Sequence, residues 1–231
     1  GVSFSASIQL GSAFAIIYYF RNQIRVIIYS FLSIFRHHNY FKDENTKLSS
    51  YIFIASIPIF TFGLLIKLYW PNYSDSNLRG MFSIAVISII MALVLFLSEI
   101  YGTRRKTFAD IKLTDIILLG MAQSLAIFPG VSRSGITLSS ALFSGIDRKT
   151  AARLSFLIGI PAISISGIVE FYTLFTSLSL VDILPTIVGL VSSFFSSIFS
   201  INLLLKFLAK NSTLVFVYYR LAFGIFILSA L

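Results

Sequence analysis

The residues from Phe128 to Thr137 form one dense group suited to binding an anion, and they read Phe-Pro-Gly-Val-Ser-Arg-Ser-Gly-Ile-Thr. The guanidinium of Arg133 offers five N–H donors in a fork that fits a phosphate group. Ser132 and Ser134 add hydroxyls, and either can cap a helix whose first amides also favour an anion. The pattern predicts a phosphate site. The alternative is that Arg133 pairs with a carboxylate or carbonyls and only holds the turn.

The composition of the chain is typical of a polytopic membrane protein. Of its 231 residues, 57% are hydrophobic and 12% are charged. The absence of cysteine excludes disulfides, thiolate metal sites and a catalytic thiol. The net charge of +9 would suggest nucleic acid only if the basic residues were gathered on one soluble module. They lie between apolar segments instead, so no nucleic acid partner is expected.

Six apolar stretches approach the roughly 20 residues that a helix needs to cross a bilayer. They are Ser3–Phe20, Tyr51–Tyr69, Gly80–Ile100, Leu154–Thr176, Ile183–Leu205 and Thr213–Leu231. If Gly1 lies outside, fourteen of the 18 Lys and Arg residues fall in the inner connecting segments. The positive-inside rule therefore gives the orientation. A shorter apolar stretch, Ile24–Phe35, is expected to form an interfacial helix on the inner side.

The segments on either side of the turn are too short to cross a bilayer. Ile116–Phe128 has thirteen residues and Leu138–Ile146 has nine, and both adjoin basic segments that lie inside. We therefore expect a re-entrant helical hairpin over residues 114–147, with its turn near the middle of the membrane. An all-α fold of two inverted repeats follows, residues 1–113 with three spans and residues 114–231 with the hairpin and three spans. By this count the first repeat lacks its hairpin.

The nine residues Pro-Gly-Val-Ser-Arg-Ser-Gly-Ile-Thr match completely a signature of the undecaprenyl-diphosphate phosphatases, the bacitracin-resistance family of bacterial inner membranes. The chain resembles this family elsewhere too, in Ile8–Ser12, Ser155–Leu157, Pro161 and Tyr219-Arg220. The resemblance implies a multi-pass inner-membrane enzyme. It would hydrolyse a C55 isoprenyl diphosphate to the monophosphate carrier lipid and inorganic phosphate, which recycles the carrier for cell-wall synthesis and confers bacitracin resistance.

Carried onto this sequence, the resemblance assigns roles to the residues of the turn. Arg133 would clamp the diphosphate. Ser132, Ser134 and Thr137 would donate hydrogen bonds to its oxygens. Gly130 would let the backbone approach the substrate closely.

Further polar residues lie in apolar segments. Gln9 and Gln123 are candidates for substrate binding, with interhelical hydrogen bonding as the alternative. Arg220 is a third candidate, and a pair with Glu170 or with the backbone is its alternative. Glu99, near the end of a span, is expected to cap a helix or to extend toward the membrane surface. A run of serines, Ser192, Ser196 and Ser200 with Ser193 and Ser197 beside them, predicts a helix-packing face.

The sequence departs from the family at its start. The family's first signature, a glutamate-rich E-x-x-x-E helix followed by a Pro-Val-Ser-Ser-Thr-Gly-His turn, is not found. The resemblance implies a divalent cation, Mg²⁺ or Ca²⁺, whose ligands belong to that element, so no metal ligand is assigned. We therefore expect a fragment with negligible hydrolysis by itself. The two histidines, His37 and His38, lie in a basic segment and are expected to face solvent or headgroups.

Two other functions share part of this pattern. A transporter or flippase of a lipid phosphate or small anion would use the same inverted-repeat plan. A lipid phosphatase of the phosphatidic-acid-phosphatase type 2 class would need a histidine after Ser132-Arg133, and none follows. The sequence leaves open whether the protein forms a homodimer.

Overall fold

The structure is a computed structural model, and it describes residues 2–34, 44–177 and 183–231. Within these ranges the chain forms helices, joined by short turns and 3-10 segments. His37 and His38 lie outside the described residues. The helices are α1 (Val2–Tyr19), α2 (Arg21–Ile34), α3 (Glu44–Tyr69), α4 (Met81–Tyr101), α5 (Leu113–Ser124), α6 (Arg133–Phe143), α7 (Arg148–Ser177), α8 (Ile183–Leu208) and α9 (Leu214–Ser229).

The prediction of an all-α polytopic membrane protein is confirmed. Four helices are long and apolar enough to cross a membrane, namely Glu44–Tyr69, Met81–Tyr101, Arg148–Thr176 and Ile183–Leu208. The other two predicted spans form the shorter apolar helices Phe4–Tyr19 and Leu214–Ser229. Helices α3 and α7 begin several residues before the predicted spans, because hydropathy marks only the apolar part of a helix that continues with polar turns.

The chain folds into two compact units, and each is discontinuous in sequence. The first comprises residues 1–49 and 160–207, and the second comprises residues 50–159 and 208–231. Helices α3 and α7 therefore contribute to both units. The division into repeats at residue 113 concerns sequence order and stays a prediction.

In the first unit, α1 packs closely against α8 through small residues. A Cβ added at Gly11 would lie 2.4 Å from the carbonyl oxygen of Leu190. The hydroxyl of Ser197 donates to that of Ser12 at 3.1 Å. Of the predicted serine face, Ser193 and Ser197 contact α1, whereas Ser192, Ser196 and Ser200 are exposed.

The second unit contains the hairpin and the helices that hold it. Helix α4 packs against both α6 and α9, and α5 pairs with α6. Met91, Val131 and Ile136 form a buried apolar cluster between α4 and the hairpin. A Cβ added at Gly224 of α9 would lie 2.6 Å from the side chain of Ile89 in α4, so these two helices approach closely.

Candidate anion site at the tip of the helical hairpin

Helices α5 and α6 form the two arms of the expected hairpin. A 3-10 segment, Leu125–Ile127, extends the first arm, and the second arm begins at Arg133 rather than at Leu138. Ser132 is the residue that caps α6, because its Oγ accepts a hydrogen bond from the N–H of Gly135 at 3.3 Å. This cap lets the polar residues after it form the first turn of the helix, which hydropathy alone had excluded.

The turn lies close to one end of α4 rather than beside its middle. We call this the outer end, because it is opposite the basic segments. Gly130 contacts Ile84, the fourth residue of α4. The first arm is about 24 Å long, from twelve α-helical and three 3-10 residues, and the apolar core of a bilayer is about 30 Å thick. The tip of the hairpin therefore lies beside the outer end of α4, and the depth of the turn in the membrane stays a prediction.

The backbone of the turn has an unusual conformation at two residues. Gly130 has a φ of +91° and Ser132 a φ of +63°. A Cβ at Gly130 would also lie 2.7 Å from the carbonyl oxygen of Ile84, so glycine is required here by backbone conformation and by packing. A non-glycine residue such as Ser132 adopts a positive φ at a cost of about 1–3 kcal/mol, and only where the surroundings hold it in place.

Arg220 of α9 supplies contacts that hold this turn. Its Nη2 donates to the carbonyl of Gly130 at 2.5 Å, and its Nη1 donates to the carbonyl of Val131 at 3.3 Å. Of the alternatives left open by the sequence, the structure shows pairing with the backbone. The Nε of Arg220 is buried and has no hydrogen-bond acceptor among the described residues.

Arg133 lies at the start of α6 and is partly buried. Its Nη1 donates to the carbonyl of Gly159 in α7 at 3.4 Å. In the part of the chain that the structure describes, no carboxylate forms an ion pair with Arg133 or Arg220. The guanidinium of Arg220 also adjoins the first turn of α6, since a Cβ at Gly135 would lie 3.1 Å from its Nη1. Two guanidinium groups therefore lie near the positive end of the α6 dipole. An anion bound there would be stabilised by both groups and by the dipole.

The three hydroxyl residues of the signature have different environments. Ser132 and Ser134 are exposed at the turn. Thr137 is fully buried, and its hydroxyl donates to the carbonyl of Arg133 at 2.8 Å. Donation from Thr137 to a phosphate would require this bond to break. The structure thus brings Arg133, Ser132 and Ser134 together at the turn and directs the Thr137 hydroxyl into the helix.

The two glutamine candidates lie in different units. Gln123 lies near the end of α5, is fully buried, and neither atom of its amide has a hydrogen-bond partner among the described residues. Interhelical hydrogen bonding is therefore not observed for Gln123, and an unpaired buried amide costs about 1–3 kcal/mol. Gln9 lies in the first unit, on an exposed part of α1.

Tyr73 is a contact of the hairpin that sequence reasoning missed. It lies in the segment between α3 and α4, and its hydroxyl donates to the carbonyl of Ile127 at 2.9 Å. Its ring packs edge-on against Phe128, with the ring centroids 6.4 Å apart. Burial raises the pKa of the Tyr73 phenol, although the charge of Arg79 offsets part of this shift. The sequence signal for this contact was the presence of aromatic residues in the short polar segment between α3 and α4.

The side chains at the turn do not fit a divalent cation. They are hydroxyl and guanidinium groups, whereas Mg²⁺ and Ca²⁺ prefer carboxylate oxygens. Among the described residues, no three His, Asp or Glu side chains come together as metal ligands. The divalent cation implied by the family resemblance stays a prediction, and no catalytic step is derived through it.

A second group of charges lies at the other end of α4, around Glu99. This buried carboxylate accepts hydrogen bonds from Arg104 at 2.8 Å and from the Nε of Arg148 at 3.0 Å, and it also pairs with the Nη2 of Arg148. The hydroxyl of Thr213 donates to it at 2.8 Å and the Thr213 N–H at 3.3 Å. Glu99 therefore caps the start of α9, as expected.

Comparison with known proteins gives one consistent family. The chain matches the family described as "Bacitracin resistance protein BacA" over residues 1–226. An undecaprenyl-diphosphatase of Prochlorococcus marinus (strain NATL1A) is 74% identical over 231 residues, which is 100% of this chain and 83% of that protein. An undecaprenyl-diphosphatase of Synechococcus sp. (strain WH7803) is 46% identical over 229 residues, 99% of this chain and 80% of that protein. The chain therefore belongs to the bacitracin resistance protein BacA family.

Proposed function

We propose that this protein hydrolyses undecaprenyl diphosphate to undecaprenyl phosphate and inorganic phosphate. The observation that carries the proposal is the tip of the hairpin. There, Arg133 and Arg220 meet the N-terminal end of α6 with no carboxylate partner among the described residues. The complete nine-residue signature at this tip and the names of the relatives support the same activity.

The diphosphate is bound at the start of α6. Arg133 clamps its oxygens, and the N–H groups of Arg133 and Ser134 at the start of the helix donate to the same anion, whereas the N–H groups of Gly135 and Ile136 donate to Ser132. Ser132 and Ser134 add exposed hydroxyls beside it. Gln123 borders the site as a buried amide that still has unpaired atoms. Contributions from Thr137, Gly130 and Gln9 to substrate binding stay predictions.

Hydrolysis at this site depends mainly on stabilising charge. Water adds to the terminal phosphorus while the bond to the bridging oxygen breaks, and undecaprenyl phosphate leaves. The transition state spreads negative charge over the oxygens of the transferred phosphoryl group. Arg133 and the fixed amides of α6 stabilise that charge in surroundings of low dielectric. No described residue of the turn is assigned as nucleophile or general base.

We place the protein in the bacterial inner membrane, with the basic segments inside. The hairpin tip then lies toward the outer face, because it contacts the first turn of α4 and Tyr73 of the outer connection. A carrier diphosphate released after export of cell-wall polymer would present its headgroup on that face. This placement supports a role in recycling the carrier lipid, and hence in bacitracin resistance.

The experiment is to measure inorganic phosphate release from undecaprenyl diphosphate in detergent, with the protein translated from its whole reading frame as the wild type. We expect Arg133→Ala to lower kcat by about 100- to 1,000-fold, because it removes a charge that stabilises the transition state. Arg25→Ala is the matched control, since Arg25 is an exposed arginine in α2 and should leave the rate unchanged. Parallel assays with Mg²⁺, with Ca²⁺ and with a chelator test whether phosphate release requires a divalent cation.

Lipid binding without phosphate release by the wild-type protein would contradict the phosphatase. It would instead favour transport of a lipid phosphate. Equal rates for the wild type and Arg133→Ala would contradict the assigned role of Arg133.

A further inference from the structure

Arg220 is joined to the turn by contacts that its position in the sequence does not suggest. It lies 89 residues after Val131, yet it donates to the carbonyls of both Val131 and Gly130. We infer that Arg220 is a positioning residue for the reaction. It fixes the backbone of the turn so that the amides of α6 face the phosphate, and it does not itself provide the main phosphate contact. This inference rests on the proposed phosphatase function.

The geometry of the peptide group explains how one contact can orient a donor. In a planar trans peptide, the carbonyl and the following N–H point in opposite directions. The described residues contain no cis peptide bond. Because Arg220 holds the Val131 carbonyl, the N–H of Ser132 points away from Arg220. Release of the carbonyl would let this peptide group rotate and would shift Ser132, which caps α6, and with it the first amides of that helix.

The backbone conformation shows that the turn needs such a contact. Gly130 and Ser132, on the two sides of Val131, both have positive φ angles. A conformation of this kind persists only when surrounding groups determine it. The two bonds from Arg220 act on the carbonyls of two consecutive peptide groups within this stretch.

The chemistry of the side chain favours arginine at this position. A guanidinium is a rigid fork that can donate to two neighbouring acceptors, whereas the ammonium of lysine is a compact charge on a flexible stem. Gly135 leaves room for the fork, since a Cβ there would lie 3.1 Å from Nη1. Arg220 also offsets the partial negative charge of two carbonyl oxygens that would otherwise repel a phosphate at the turn.

The test is steady-state kinetics of phosphate release from undecaprenyl diphosphate by the wild type and Arg220→Lys. Lysine keeps the positive charge but cannot reproduce the fork. We expect kcat to fall by about 100-fold, the effect of a small misplacement of catalytic groups. We expect KM to stay within about threefold, because Arg133 and the lipid tail still bind the substrate. Arg25→Lys, at an exposed arginine, is the matched control and should change neither value.

A second variant keeps the inference testable if Arg220→Lys does not fold, as judged by its thermal unfolding. Arg220→Gln retains a neutral donor for one carbonyl, and the same fall in kcat at nearly constant KM is expected. An increase in KM of tenfold or more with kcat retained would overturn the inference and make Arg220 a phosphate ligand. Unchanged kcat in both variants would overturn it as well. A wild-type protein without phosphate release would instead overturn the proposed function, and this inference with it.

Discussion

Two groups of charge in the second unit lie near opposite ends of α4 and differ in their counter-charges. Glu99 is 5% exposed and is paired with two arginines that are 33% and 29% exposed. At the outer end, Arg133 and Arg220 have carbonyl oxygens as their acceptors and no carboxylate among the described residues. Arginine therefore pairs with a carboxylate in one group and meets only carbonyl oxygens in the other, among the described residues.

The difference distinguishes a structural group from the proposed binding site. The Glu99 group joins the end of α4 to Arg104, to the start of α7 and to the start of α9, and its carboxylate accepts hydrogen bonds from both arginines and from Thr213. A group that is satisfied within the protein has little left to offer a ligand. The arginines at the turn have no carboxylate partner among the described residues, and the cost of such charge in an apolar fold supports the proposed anion site.

Glu99→Gln should therefore act mainly on stability. The substitution leaves Arg104 and Arg148 without their carboxylate and weakens the cap of α9. We expect the free energy of unfolding in detergent to fall by about 2–4 kcal/mol, less than for a fully buried pair because both arginines are partly exposed and can regain water. Thermal or denaturant unfolding measures the loss.

Arg133→Met is the matched comparison for that experiment. It removes a positive charge that has no carboxylate partner among the described residues, so the free energy of unfolding should be unchanged or higher while phosphate release is lost. If Arg133→Met destabilised the protein as much as Glu99→Gln does, the contrast between the two groups would be wrong.

Gly130→Ala should have the next largest effect on the free energy of unfolding. The added Cβ would lie 2.7 Å from the carbonyl oxygen of Ile84, in a residue whose φ is +91°. We expect a loss of about 1–3 kcal/mol in unfolding free energy and reduced phosphate release, because the turn must shift away from α4.

Gly63→Ala provides the control for this substitution. Gly63 lies inside α3 and an added Cβ there meets nothing within 4 Å, so alanine should stabilise the helix by about 0.5–1 kcal/mol. Equal stability of the two variants would show that Gly130 is not constrained as described.

The hairpin and its cap could be predicted from the sequence because the signals are local. Two short apolar segments around a Pro-Gly turn specify the hairpin, and a serine before the helix specifies the cap. The bond from the Thr137 hydroxyl to the carbonyl four residues earlier is also local, and threonine side chains in helices often form this bond. The assignment of Thr137 to phosphate took no account of that tendency.

The contacts that hold the site could not be predicted in this way. Three hydrogen bonds join residues that are far apart in the sequence. The separation is 90 residues for Arg220 and Gly130, 114 for Thr213 and Glu99, and 54 for Tyr73 and Ile127. No periodicity or spacing connects such pairs, because they depend on how α4 and α9 pack. The depth of the turn in the membrane stays a prediction. The roles of the turn residues toward substrate, the cation and the expectation of a fragment stay predictions.

Tyr73→Phe should have the smallest effect, and its dependence on pH identifies the cause. Loss of the hydrogen bond to Ile127 should lower the free energy of unfolding by about 0.5–1.5 kcal/mol at neutral pH. Burial raises the folded-state pKa of Tyr73 above its usual value of 10.0, so the folded state favours the neutral phenol. That contribution is present below pH 10 and is lost as the pH rises through the raised pKa, because the unfolded chain releases its proton first. Thermal unfolding of both proteins from pH 8 to pH 11 should therefore show a difference that narrows at high pH, whereas a difference that stays constant would mean that the hydroxyl contributes through packing and not through its bond to the hairpin.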